Sequence, residues 1–420
     1  MKIKTTDISI EKFLSLPNEK HLNPLKPSIL FRTLLKLVSG SDLKATHFKH
    51  KEYGMEHLSH KEPALFLMNH SSFIDLKIAA TILYPRPFNI VCTEDGFIGK
   101  KWLLRHLGCI PTKKFVTDYH LFNDMKYVVE KGSSILMYPE ASYSFDGTAT
   151  ALPSSLGRCI KLLNIPVVMI KTYGAFTRDP LYNNLQLRQV DVSCDMTYLL
   201  SKEDIEDKSI EEINDILKEQ FTFDNWKWQL DNNVIINEHF RADYLNRVLY
   251  KCPHCGKEGK MVGKGVHLEC QECGAKWELL ENGQLKCLNK EDKFTHVPDW
   301  YKWERECVKE EIVNGTYKLD IDVYIRGLKD FNTLYNLGKG HLTHDINGFH
   351  LVDETGKLGF KVSSSSQYSL YSDYYWYELG DMISVGDSNN TYYCFPPSDI
   401  DVAAKTRIAV EEIKKLKKIK

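Results

Sequence analysis

Five short apolar runs punctuate residues 46–245: PALFLMN (63–69), FNIVCTE (88–94), GCIPT (108–112), SSILMYPE (133–140) and IPVVMIKTYGAF (165–176). They read as strands. The stretches between them carry helical signals. DYHLFNDMKYVVEKG (118–132) ends on Gly132, a common helix stop. SIEEINDILKEQF (209–221) opens with Ser209 and Glu212 in capping-box spacing, and Ile210, Ile213 and Leu217 make one face. Strands alternating with helices predict an α/β fold, a layered sheet-and-helix domain over 46–245.

The flanks follow other patterns. Residues 1–45 form an amphipathic N-terminal segment. Pro24 and Pro27 precede SILFRTLLKLVSG (28–40), where a helix would carry Ile29, Leu30, Phe31, Leu34, Leu35, Leu37 and Val38, with Arg32 and Lys36 on one edge. Two uses fit: a helix lying in a membrane interface, or one packed on a core. Residues 250–288 hold five cysteines, four of them in two close pairs, among many glycines, with Cys287 a spare. Farther on, YKLDIDVYIRGL, GHLTHDINGFHLV, KLGFKV and TYYCFP read as strands separated by Gly, Asn and Asp turns, and PPSDIDVAAKTRIAVEEIKKLKKIK reads as a helix. The expectation for 310–420 is a β-rich domain closed by a C-terminal helix, similar in layout to pleckstrin-homology or GRAM domains.

Composition narrows the class. The 420 residues allow two or three domains, and 43% hydrophobic with 26% charged content is usual for a soluble globular protein. A formal net charge of -1 argues against a nucleic-acid partner, which calls for a strongly basic domain. The 11 cysteines are an odd number, and the start MKIKTTDISIEKF lacks the apolar core of a secretory leader. A reducing, cytoplasmic setting is therefore expected. No run reaches the roughly 18 to 20 apolar residues of a spanning helix, so contact with a membrane would be peripheral.

Candidate chemistry begins at FLMNHSSFID (66–75), where an apolar strand stops at Asn69-His70 and Asp75 follows five positions later. In one continuous helix, His70 and Asp75 would stand about 140° apart and could not converge. With His70 in the turn after the strand and Ser72 capping a helix, Asp75 falls in the first turn and can reach back to the imidazole. A carboxylate on one ring nitrogen fixes the tautomer and frees the other as a base. The same residues also fit an ordinary helix N-terminus with no catalytic role. A second strand ends in the same manner: ILMYPEASYS (135–144) passes from apolar residues to Pro139-Glu140 and small hydroxyl residues. In an open α/β sheet, sites assemble at strand C-termini.

These blocks resemble the glycerolipid acyltransferase family, which includes the lysophosphatidic acid acyltransferases. Asn69, His70 and Asp75 match its NH-x4-D block, GCIPTKK (108–114) its second block, and YPEAS (138–142) its FPEG-type block. IPVVMI (165–170) matches its proline-led strand. The resemblance covers about residues 45–245. It implies that His70, oriented by Asp75, is the base that activates an acceptor hydroxyl. The alkoxide would attack an acyl thioester, acyl-CoA or acyl carrier protein, with no covalent acyl-enzyme. It also implies acceptor binding by Lys113, Lys114, Glu140 and Ser142, and a lysophospholipid acceptor such as 1-acyl-sn-glycerol-3-phosphate. Lysines stand where the family usually has arginine, Ala141 replaces its glycine, and Tyr143 stands where an arginine often follows. Lys100, Lys101, Arg105, Lys113 and Lys114, with no acid among residues 96–115, fit an anionic substrate or headgroup; a solvated basic face fits as well.

CPHCG (252–256) and CQECG (270–274) place Cys252, Cys255, Cys270 and Cys273 as two knuckles fourteen residues apart, the pattern of a tetrahedral, structural Zn2+ site in a zinc ribbon. The lysine tail 414–420 suits either an anionic membrane or the end of a helix dipole. Taken together, the expected protein is an acyltransferase of phospholipid biosynthesis, peripheral on the cytoplasmic face of the membrane. The alternative is a non-catalytic lipid-binding scaffold on the same fold.

Overall fold

The computed structural model describes residues 3–115, 118–398 and 400–419. The chain opens with β1 (Thr5–Asp7), α1 (Ile10–Ser15) and α2 (Ile29–Ala45). It then builds a mixed seven-stranded sheet from β2 (Lys49–Tyr53), β3 (Leu65–Met68), β4 (Phe88–Thr93), β5 (Cys109–Thr112), β6 (Ser134–Met137), β7 (Val167–Tyr173) and β8 (Ser193–Leu200). The strand order is β2-β8-β7-β3-β6-β4-β5, parallel except for the β7–β8 pair. Helices α3 (Ile74–Ile82), α4 (Lys101–His106), α5 (Tyr119–Glu130), α6 (Leu156–Leu163), α7 (Ala175–Arg178), α8 (Lys202–Asp207), α9 (Ile210–Phe221) and α10 (Asn225–Asp231) connect and cover it. The protein is thus an α/β fold in this half. All five apolar runs are strands.

Burial explains why those runs do not alternate. All four residues of β3 are buried, yet they serve two cores: Phe66 and Met68 pack on one face of the sheet, Leu65 and Leu67 on the other. Val168 and Ile170 against Val167 and Met169 repeat this division in β7. A central strand covered on both faces needs apolar side chains at every position. The α9 capping box closes from both sides: the Ser209 hydroxyl accepts from Glu212 N, and the Glu212 carboxylate accepts from Ser209 N. Helix α2 continues past Gly40 to Ala45, and within it the buried Ser39 hydroxyl donates to the Leu35 carbonyl.

A small antiparallel sheet of β9 (Met261–Lys264), β10 (His267–Cys270), β11 (Lys276–Leu279) and β12 (Leu285–Cys287) forms the ribbon, and α11 (Val297–Val313) leads out of it. The C-terminal sheet comprises β13 (Leu319–Leu328), β14 (Leu334–Asp345), β15 (Gly348–Asp353), β16 (Gly359–Ser363), β17 (Ser372–Asp373), β18 (Met382–Gly386) and β19 (Thr391–Phe395). These strands are antiparallel in the order β16-β15-β14-β13-β19-β18-β17, and α12 (Ala403–Ile419) follows. The N-terminus belongs to this sheet: β1 pairs in parallel with β14, and Phe13 of α1 lies fully buried in its core. Gly327 leaves room for that ring, since a Cβ there would stand 2.4 Å from Phe13. One apolar core joins all parts. Phe145, Tyr182 and Trp226 from the first sheet's domain meet Trp277 of the ribbon, Trp300 of α11, and Tyr374, Ile408 and Ile413 from the C-terminal part. Among the described residues, no helix is long and apolar enough to cross a membrane.

Candidate active site and metal centre

Strand β3 delivers Asn69 and His70 at its C-terminal end. Asn69 ties the strand to β7: its Oδ1 accepts from Thr172 N (2.8 Å) and its Nδ2 donates to the Thr172 carbonyl (3.2 Å). His70 lies in the following turn and Asp75 in the first turn of α3. The helix begins at Ile74 with Phe73 at the N-cap, so Ser72 stands one place before it and accepts from Ile74 N. The Asp75 carboxylate itself organises the turn. Its Oδ2 accepts from Ser71 N (2.7 Å), Ser72 N (3.1 Å) and His70 Nδ1 (3.0 Å). An acceptor so placed fixes the proton on Nδ1 and leaves Nε2 free.

The imidazole is held between two rings, Tyr138 at 4.1 Å and Tyr143 at 4.2 Å between centroids. Burial pushes its pKa below the ordinary value; the Asp75 hydrogen bond and charge pull it up, and the Lys114 ammonium pushes it down again. The net shift is downward, which favours the neutral ring. Burial keeps the Tyr138 and Tyr143 phenols protonated by raising both well above their usual range.

Glu140 is buried, and backbone amides engage both its oxygens: His70 N donates to Oε1 (3.1 Å) and Thr150 N to Oε2 (2.7 Å). Burial raises its carboxyl to about 7 against those two bonds. It locks the turn after β6 to the turn carrying His70, a link completed by Ser144 N donating to the His70 carbonyl (2.9 Å). Ala141 takes a left-handed φ of 57°, a conformation that suits glycine better. Ser142 Oγ accepts from Arg407 Nη2 of α12 (3.1 Å), and the same nitrogen donates to Thr150 Oγ1 (3.2 Å).

The expected lysines separate. Lys113 Nζ donates to the Asp387 and Ser388 carbonyls of the C-terminal sheet (3.3 and 3.0 Å), with Glu94 4.0 Å away. Lys114 Nζ stands 3.8 Å over the Tyr371 ring. Lys101 pairs with Glu19 (2.6 Å), and Arg105 donates to the Leu22 and Asn23 carbonyls. The basic stretch is thus shared out among several partners.

His70, Lys113 and Lys114 line one cleft of about 1570 Å³, beyond the usual several-hundred-Å³ scale of a small-ligand pocket. Leu76, Leu121, Met125, Met137, Leu156 and Leu185 supply part of its apolar wall, whereas Asp373, Tyr375 and Trp376 from the C-terminal sheet and Glu411, Lys414 and Lys415 from α12 supply another. Glu140 and Ser142 sit behind the wall. Sequence reasoning missed Asp95, Arg407, Tyr371 and Asp373. The last three lie more than 200 positions from the motif blocks, and no local pattern marks them; only the aromatic run 371–377 stands out.

The four cysteines converge. Their sulfurs all lie within 4.8 Å of one another, with Cys252–Cys273 and Cys255–Cys270 each at 3.7 Å. Sulfurs bound at ~2.3 Å to a tetrahedral metal stand about 3.8 Å apart, so the donor set fits a metal ion. Each knuckle turns on its glycine: Gly256 and Gly274 have positive φ, and their amides donate to the Cys252 and Cys270 carbonyls.

The site thus places a histidine, hydrogen-bonded to a buried carboxylate, at the end of a central strand beside a long cleft. Residues 49–171 match the model of the Acyltransferase family. Among solved structures it is similar to the 1-acyl-sn-glycerophosphate (LPA) acyltransferase PlsC from Thermotoga maritima. Identity is 13% and the TM-score 0.38, over 45% of this chain and 76% of that one. No curated protein matches the chain.

Proposed function

We propose that this protein moves a fatty acyl group from an acyl thioester, acyl-CoA or acyl carrier protein, to the hydroxyl of a lysolipid. The observation that carries this is the His70–Asp75 pair in the wall of the apolar cleft. His70 Nε2 takes the proton of the acceptor hydroxyl. The alkoxide oxygen attacks the thioester carbonyl, the C–S bond breaks, and the imidazolium returns its proton to the departing thiolate. The products are an ester and a free thiol. Asp75 stabilises the imidazolium. A thiolate leaves readily, so base catalysis and positioning account for most of the rate.

The resemblance implies a lysophospholipid acceptor clamped by Lys113 and Lys114. Of these, Lys114 is the one whose ammonium makes no hydrogen bond or ion pair among the described residues. The four-cysteine ribbon binds zinc as a brace: its thiolates leave no open coordination position, and it packs into the core that joins the parts of the molecule. Membrane contact runs through α2, where Ile29, Leu30, Leu34, Leu37 and Val38 are 48–71% exposed. Phe31 and Trp102 adjoin at 5.9 Å, and Trp102 is exposed as well. The protein would thus sit on the cytoplasmic face of a bilayer. The test is thiol release from acyl-CoA with a lysolipid panel, wild type beside His70→Ala; equal rates refute the assignment.

A further inference from the structure

The C-terminal sheet brings a second set of groups to the cleft. Asp95 receives the Tyr371 hydroxyl (2.8 Å) and Trp376 Nε1 (3.1 Å) on Oδ2, while its Oδ1 is buried with no hydrogen-bond partner. Asp373 accepts from Tyr374 N (2.9 Å) on one oxygen, and its other oxygen has no hydrogen-bond partner among the described residues. Lys114 lies within electrostatic reach of both carboxylates, and of His70. All three line the same cleft as His70, beside the rings of Tyr371, Trp376 and Tyr377.

We propose that Asp95, Asp373 and Lys114 form an acceptor headgroup subsite for an uncharged polyol, such as a sugar, rather than for a phosphate monoester. This rests on the acyl-transfer reading of His70. Charge decides between the classes. A phosphate dianion gains Lys114 but meets two carboxylates, and like-charge contacts in a cleft of low dielectric are costly. An ammonium head meets Lys114 at the same place. A neutral head with several hydroxyls both donates to the unsatisfied carboxylate oxygens and accepts from the unpaired ammonium, while its apolar ring faces rest on the aromatic wall.

Calorimetry on the full-length protein, independent of turnover, compares a hexosyl monoacylglycerol with lysophosphatidate and lysophosphatidylcholine. The expected result is that the glycosylated lipid binds at least about tenfold more tightly than either. Asp373→Asn, which keeps the bond to Tyr374 N, should narrow the preference over lysophosphatidate by about tenfold. Lysophosphatidate or lysophosphatidylcholine binding as tightly as the sugar lipid, or an unchanged preference in Asp373→Asn, overturns the subsite. Selective binding without acyl transfer to any acceptor overturns the reaction instead and leaves the subsite standing.

Discussion

In the proposed reaction His70 is the base, and its surroundings set the pH at which it would work. Burial and Lys114 lower its pKa, so the neutral base persists to more acidic pH than an ordinary imidazole near 6.5 would allow. The acid limb of kcat/KM should therefore lie below 6.5, and Lys114→Met should move it upward. His70→Ala should lower turnover at least ~100-fold with folding intact, measured as thiol release and circular dichroism. Glu140 works by position. Glu140→Gln can keep only one of the two amide bonds, because its NH2 faces a donor. That should cost about 1–3 kcal/mol in denaturant unfolding and lower kcat, with acceptor KM unchanged.

At the scale of elements, the turn after β6 and helix α2 can each be tested alone. Ala141 holds a left-handed conformation that costs an alanine about 1–2 kcal/mol. Ala141→Gly removes that cost and returns part of it as unfolded-state entropy, so a net gain of roughly 0.5–1 kcal/mol is expected in thermal or chemical unfolding. Helix α2 leaves Leu30 and Leu37 71% exposed, which packing does not require. Leu30→Glu with Leu37→Glu should change stability by no more than about 1 kcal/mol in sum, yet abolish flotation with anionic liposomes. Undiminished flotation would assign that stripe another use.

For the molecule as a whole, the ribbon is the joint. Cys252 lies in the core that contains Tyr182 from the first domain, Trp300 of α11 and Ile408 of α12. Metal analysis of protein purified without added zinc should find one zinc per chain. Cys252→Ser should lower the melting temperature and, because the cleft wall includes residues of α12 and the C-terminal sheet, also lower activity. A metal-free protein of unchanged stability would refute the brace.

Local pattern was enough to reveal the central strands, the α9 cap, the His70–Asp75 turn and the two cysteine knuckles. Each depends on neighbours within a few positions, and strand burial, capping and paired cysteines write themselves into such short spacings. Tertiary structure alone decided the rest. It drew β1 and α1 into the C-terminal sheet, engaged Lys113 with the Asp387 and Ser388 carbonyls, and set Arg407 against Ser142. It also closed the cleft with Tyr371, Asp373 and Trp376. These contacts join residues up to 329 positions apart, through shape and charge that only the packed chain brings within a few ångströms, so no periodicity records them.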